Sequence, residues 1–245
     1  MGPVKMSPKN HRERLKATQP AAVELAKIEG KLALLATDGG HGPIFCDFVG
    51  GSVAHRRQFG GGYNQPLARA CGISSKFKPR ICDACAGMGG DSLVLASLGA
   101  NVTLIERQPA VWAILEDGLA RLIEAAKEDP RLAKLADRLA LIHRDSVLYL
   151  GEFSQGTFDV VYLDPMFPPR TKSAKVKKEM VAFHQLVGAD LDADSLLEAA
   201  QQAAQYRVVV KRPRGAQWLA GAKPSHVIEG KTVRYDIYVS KAIPK

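Results

Sequence analysis

The sequence predicts an α/β protein whose main body is a doubly wound, mostly parallel sheet, preceded by a small N-terminal accessory unit. Three observations carry this. From Arg80 onward, short apolar runs alternate with amphipathic segments of helix length, which is the rhythm of repeated βαβ units. The first of those runs leads into a glycine-rich loop, "DACAGMGGDS". Residues 1–79 lack the rhythm, so they are set apart as the accessory region and 80–245 as the main domain.

Within the accessory region, "AAVELAKIEG" (21–30) reads as a short helix. "KLALLATD" (31–38) and "PIFCDFVGG" (43–51) read as strands around a "GGHG" turn. "RRQFGGGYNQPLARACG" (56–72) opens as a glycine-rich loop and ends as a helix. In the main domain "RICDAC" is the first strand and "DSLVLASLG" the helix after the loop. "NVTLIER" is the second strand, and "PAVWAILEDGLARLIEAA" is a long helix with proline in its first turn. "LALIHRD" and "FDVVYLDP" are the third and fourth strands; the fourth is almost wholly apolar, as in a strand buried on both faces. "DADSLLEAAQQAAQY" is a capped helix and "RVVVKRP" the fifth strand. "SHVIEGKTVRYDIYVS" is a closing hairpin that adds antiparallel pairing at one edge.

Composition narrows the class. Of 245 residues 46% are hydrophobic, enough for a packed core and against wholesale disorder. No apolar run reaches the roughly 20 residues that span a bilayer, and "MGPVKMSPKNHRERLK" is polar and basic, unlike a secretory signal. Four cysteines (Cys46, Cys71, Cys82 and Cys85) are too few for a disulfide framework, which points to a reducing cytoplasm. "CDAC" has half-site spacing for redox or metal chemistry, but no second pair accompanies it, and no metal is expected. The formal net charge is +9, from 34 Lys+Arg against 25 Asp+Glu, which favours a polyanionic partner. The charge is concentrated in "KNHRERLK" (9–16), "HRR" (55–57) and "RTKSAKVKK" (170–178).

In a doubly wound sheet, ligands bind at the carboxyl ends of the strands, where the strand order reverses. Gly87, Gly89 and Gly90 allow a tight turn and close backbone approach to a ligand. Glu106 ends the second strand, where a carboxylate can accept from both hydroxyls of a ribose. Together they predict an adenosine-containing cofactor. A dinucleotide would want a third glycine where Ser92 stands, and the acids Asp83 and Asp91 would repel its pyrophosphate. The same acids suit the ammonium and sulfonium of S-adenosylmethionine. After the third strand, Asp145 and Ser146 fit either a contact to the adenine amino group or a helix cap.

"LDPMFP" follows the fourth strand. Asp164, the Pro165 carbonyl and the Phe167 ring could accept two hydrogens from an exocyclic amine and hold its ring by stacking. Aimed in this way at a sulfonium methyl, a poorly nucleophilic aryl amine can be methylated by positioning and electrostatics. Arg56, Arg57, Lys172, Lys175, Lys177 and Lys178 are candidate phosphate contacts, and Lys211 a contact to a phosphate or a base edge. The residue pattern alone also admits an adenine amino-methyltransferase acting on DNA, or a catalytically silent RNA-binding factor.

The segments "FCDFVGGSVAHRRQFGGG", "DACAGMGGDSLVLASLG", "ERQPAVWAILEDGLAR", "YLDPMFPPRTKSAKVKKEM", "LVGADLDADSLLEAA" and "RVVVKRP" make the chain resemble the bacterial 16S ribosomal RNA guanine methyltransferases of the RsmJ family. They span about residues 45–215, and Met166 in Asp-Pro-Met-Phe sets them apart from broader amino-methyltransferases, which usually carry a second proline there. The resemblance implies a class I, Rossmann-like methyltransferase fold with a seven-stranded sheet. It implies methylation of the 2-amino group of a guanosine near the 3′ end of 16S RNA, with naked RNA or the small ribosomal subunit as partner. It also implies cofactor contacts at Gly90 and Asp91, Glu106 and Arg107, Asp145 and Ser146, and Asp164. Cys85 and Gly90 depart from the threonine and arginine of the family pattern, as do the first forty or so residues.

Overall fold

The computed structural model describes residues 23–37, 42–50, 61–165 and 193–244. A hairpin of β1 (Val23–Ile28) and β2 (Lys31–Ala36) precedes a seven-stranded sheet among the described residues. That sheet contains β3 (Arg80–Asp83), β4 (Asn101–Glu106), β5 (Leu139–His143), β6 (Phe158–Leu163), β7 (Ala204–Pro213), β8 (His226–Glu229) and β9 (Val233–Val239). Their spatial order is β5-β4-β3-β6-β7-β9-β8. The first five neighbours are parallel, and β9 runs antiparallel between β7 and β8. The sheet is mostly parallel and Rossmann-like, with seven strands as expected. The strand order reverses between β3 and β6, so a crevice opens beyond their carboxyl ends.

The helices are α1 (Pro66–Ala70), α2 (Gly90–Ser97), α3 (Pro109–Ala126), α4 (Pro130–Ala136), α5 (Ser146–Gly151) and α6 (Ala193–Ala203). Side chains alternate across a strand, and β6 shows how this builds two cores. Val160 and Tyr162 pack with Leu93 of α2 and Ile114 and Leu115 of α3. Val161 and Leu163 pack on the other side with Leu150 of α5 and Leu197 and Ala200 of α6. Because β6 is covered on both faces, its apolar run has no polar alternation, and its first polar side chain beyond the strand, Asp164, emerges at the crevice.

Residues 23–28 form strand β1, not the expected helix. A six-residue segment gains little as an isolated helix, whereas here every residue pairs with β2, from Val23 with Ala36 to Ile28 with Lys31. The connecting Glu29 and Gly30 both have positive φ, 50° and 78°, as a two-residue hairpin turn of type I′ requires. Residues 43–50 do not form the expected strand either. Only Ile44 bridges, exchanging both backbone hydrogen bonds with Leu34. Asp47 Oδ1 then accepts from the amides of Val49 and Gly50 at 3.2 and 2.9 Å, closing a turn, while Cys46 and Phe48 are buried in the core. At the other end of the chain, Ala204–Tyr206 belong to β7, not to the preceding helix; Ala204 pairs with Phe158. Helix α4 was not expected; Asp129 caps it by accepting from the Arg131 amide at 2.8 Å.

The 42–50 segment crosses α3 where the helix carries Gly118. A Cβ there would lie 2.8 Å from Cys46 Cβ and 3.2 Å from its carbonyl oxygen. Arg121, one turn on, donates to that same carbonyl and pairs with Asp117 at 2.8 Å. For Gly118→Ala the overpacking cost of about 1–3 kcal/mol outweighs the helix-propensity gain of about 1 kcal/mol. The urea midpoint is expected to fall; a rise would mean that the 42–50 segment does not press on α3.

Candidate active site

The loop between β3 and α2 builds one wall of the crevice. Gly89, with φ 68°, caps α2, and a Cβ on it would strike Phe48 Cζ at 2.7 Å. Cys46 Sγ lies 3.6 Å from the Met88 carbonyl, so the N-terminal segment backs the loop from behind. A Cβ on Gly90 would meet nothing within 4 Å. The Gly87 amide donates to Glu106 Oε2 at 3.1 Å, and the Gln108 amide donates to Oε1 at 2.7 Å. Glu106 is therefore buried, at 6% exposure, yet holds each carboxylate oxygen in a fixed direction.

Three aspartates meet at the carboxyl ends of β3 and β6. Asp83, 2% exposed, accepts from the Ser92 hydroxyl at 2.5 Å and from the Cys85 amide at 3.2 Å. Ser92, the residue at the third-glycine position, is thus the hydroxyl that satisfies a buried acid. Burial pushes the Asp83 carboxyl up to about 7; repulsion from Asp91 and Asp164 adds to this, and the Ser92 and Cys85 hydrogen bonds oppose it. Asp91, in the first turn of α2, accepts from the Tyr162 hydroxyl at 2.7 Å. Lys211 Nζ, from the last third of β7, donates to Asp91 Oδ2 at 2.9 Å and to Asp164 Oδ2 at 2.8 Å. Burial alone would favour the neutral amine, but the two carboxylates outweigh it and hold the Lys211 pKa well above the ordinary lysine range. The lysine is only a quarter exposed, so the structure places it inside the site, on two carboxylates.

On the far side of Glu106, Asp145 accepts from the Leu148 amide at 3.1 Å and so caps α5. Its other oxygen lies 3.7 Å from Arg107 Nη1. The Ser146 hydroxyl donates to the Ala84 carbonyl at 2.6 Å, tying β5's exit to β3's. Trp112 stacks on His143 beside them, with ring centroids 5.1 Å apart. Gly87, Gly90, Asp91, Glu106, Arg107, Asp145, Ser146, Asp164 and Lys211 thus lie toward the carboxyl ends of the parallel strands β3 to β7 or in the segments that follow them. Pro165 is buried directly after Asp164. Arg56, Arg57, Phe167, Lys172, Lys175, Lys177 and Lys178 lie outside the described residues. In "CDAC", Cys82 is buried with its thiol pushed well above the ordinary range by desolvation, and Cys85 is half-buried. No cluster that could hold a metal ion occurs among the described residues.

Residues 9–240 match a protein-family model described as "Putative SAM-dependent methyltransferase". The chain is 53% identical to "Ribosomal RNA small subunit methyltransferase J" of Pseudomonas paraeruginosa over 204 residues, 83% of this chain and 77% of the relative. The chain belongs to this family. The relative of the same name from Colwellia psychrerythraea is 52% identical over 225 residues, 91% of this chain and 77% of its own. A crystal structure described as a SAM-dependent methyltransferase from Neisseria gonorrhoeae superposes with a TM-score of 0.71 at 34% identity, covering 93% of this chain and 87% of that one. The cofactor of this methyltransferase is S-adenosylmethionine. The site's chemistry fits it. An oriented buried carboxylate at Glu106 suits a ribose diol, open space lies over Gly90, and three aspartates against one lysine suit a cationic ligand better than a pyrophosphate.

The raised Asp83 acid has a consequence for stability. Unfolded, it titrates near its ordinary 3.8; folded, near about 7. Between those values the unfolded chain releases the proton and the folded chain keeps it, so stability falls as pH rises through that window. Asp83→Asn can still accept from the Cys85 amide through its oxygen and donate to the Ser92 hydroxyl through its nitrogen, without the charge. Measured without cofactor, its gain in urea midpoint over the parent is expected to be larger at pH 8 than at pH 5; an equal gain would show that Asp83 titrates normally.

Proposed function

We propose that this methyltransferase transfers the methyl of S-adenosylmethionine to the exocyclic 2-amino group of a guanosine in 16S ribosomal RNA, presented as RNA or within the small ribosomal subunit. The observation that carries this reading is the position of Asp164. It follows the doubly covered strand β6, beside the cofactor loop, with its carboxylate fixed by Lys211 and the buried Pro165 directly after it. The names of the relatives support the RNA substrate, and the excess of basic residues supports a polyanion.

S-adenosylmethionine, when bound, supplies an electrophilic methyl on its sulfonium. Gly87, Gly90 and Asp91 of the loop, Glu106 with Arg107, and Asp145 with Ser146 would hold it. Asp164 and the Pro165 carbonyl would accept the two amine hydrogens, and the proton that the nitrogen sheds on methylation would pass to Asp164 or to water. Two acceptors orient the nitrogen lone pair away from the ring and toward the cofactor side, which is what a delocalised aryl amine lacks in water. A carboxylate has several lone-pair sites, so the lysine contact on Oδ2 does not exhaust Asp164. Phe167 would stack on the base. Lys172, Lys175, Lys177 and Lys178, with Arg56 and Arg57 of the accessory region (1–79), would neutralise phosphates beside the main domain (80–245). No helix among the described residues is long and apolar enough to cross a membrane. A cytoplasmic enzyme working where ribosomes are assembled fits this reading.

Asp164→Ala is expected to lower single-turnover methylation of small-subunit RNA by about 100-fold or more, with affinity for S-adenosylhomocysteine changed far less. Near-parental turnover would remove Asp164 from the reaction. Nucleoside mass spectrometry of the product should show N2-methylguanosine; methyladenosine would overturn the choice of base.

A further inference from the structure

Resting on that reading, the geometry points to Lys211 as a positioning residue: it clamps Asp164, which faces the methyl acceptor, to Asp91 of the cofactor loop, and so holds the acceptor and donor halves of the site in one register. Its Nζ reaches both Oδ2 atoms at 2.8 and 2.9 Å, from a strand that contributes neither acid. Asp164 follows β6, Asp91 lies in α2, and Lys211 belongs to β7, so the bridge spans three separate elements. A surface lysine seeking phosphate would extend into solvent. This one is mostly enclosed, and its ammonium lies on two carboxylates.

The charge pattern explains why a cation is needed there. The groups facing Lys211 are Asp91 from α2, Asp164 and Tyr162 from β6, and Tyr235, its register partner on β9. Asp83, from β3, feels both Asp91 and Asp164. Like charges this close favour protonation of one of them. A protonated Asp164 would present a donor where two acceptor sites are required, and the amine would lose an orienting contact. Lys211 offsets that repulsion. Tyr162, whose hydroxyl is driven well above its ordinary range by burial and then by Asp91 and Asp164, stays a neutral donor to Asp91 and supports the clamp from below.

A phosphate-contact role and a clamping role predict different measurements. The experiment compares Lys211→Met and Lys211→Arg with the parent in single-turnover pH profiles at saturating RNA. It also measures RNA affinity against salt, and thermal unfolding. For Lys211→Met the rate at neutral pH should fall at least tenfold, and the acid limb should move to higher pH by about 1 to 3 pH units. RNA affinity and its salt slope should stay within twofold. Lys211→Arg, which can still bridge two carboxylates, should restore much of the acid limb. An unchanged acid limb together with weaker RNA binding and a shallower salt slope would make Lys211 a phosphate contact and overturn the clamp. If Lys211→Met does not fold, Lys211→Gln takes its place. It removes the cation while keeping a polar side chain, and an unshifted acid limb for it would equally overturn the inference. Inactivity of the parent on small-subunit RNA, with intact cofactor binding, would instead sink the proposed substrate.

Discussion

The placing of three acids, Asp83, Asp91 and Asp164, against one lysine is what this site is built around. Asp83 ends β3, Asp164 follows its parallel neighbour β6, and Asp91 enters from the first turn of α2. Each acid has its own means of relief: Ser92 and the Cys85 amide for Asp83, Tyr162 with Lys211 for Asp91, and Lys211 for Asp164. The remaining negative character is what a cationic methyl donor exploits and what a dinucleotide would find hostile. Cofactor choice thus follows from electrostatics at the strand ends as much as from the glycine turn.

The N-terminal segment is joined to this arrangement by packing. Phe48 occupies the space a side chain on Gly89 would need, and Cys46 sits against Gly118 and near the Met88 carbonyl. The absent side chains of two glycines, one on the loop and one on α3, allow the segment to lie flat against both. Lys31 and Arg121 hold its turn through Asp47, at 3.1 and 3.8 Å. The glycine loop is therefore supported by the N-terminal segment.

The main sheet was legible because its signals are local: apolar runs, a proline-led helix, a glycine loop and an acid after the second strand. Residues 23–28 were misleading because Ala, Glu, Leu and Lys favour helices locally, whereas pairing with β2 decides their state. The Glu-Gly turn between two apolar runs was the available cue. At 43–50 the apolar residues serve burial rather than pairing, and Asp47 diverts the chain by taking two amides. The acids of the site were legible as residues but not as a network. Ser92 stood out only as a missing glycine, and its hydroxyl's partner lies nine residues upstream. Lys211 read as a contact to a phosphate or a base edge, because its carboxylate partners lie 47 and 120 residues away in sequence. Asp145 was open between cap and ligand contact, and its cap is formed.

The wide sequence separation of that bridge bears on how the protein matures. Synthesis runs from the N-terminus, so β3, α2 and β6 leave the ribosome before β7 does. Until β7 inserts beside β6, Asp91 and Asp164 lack the Lys211 contact. The bridge between them is thus among the last contacts of the site that the growing chain can make.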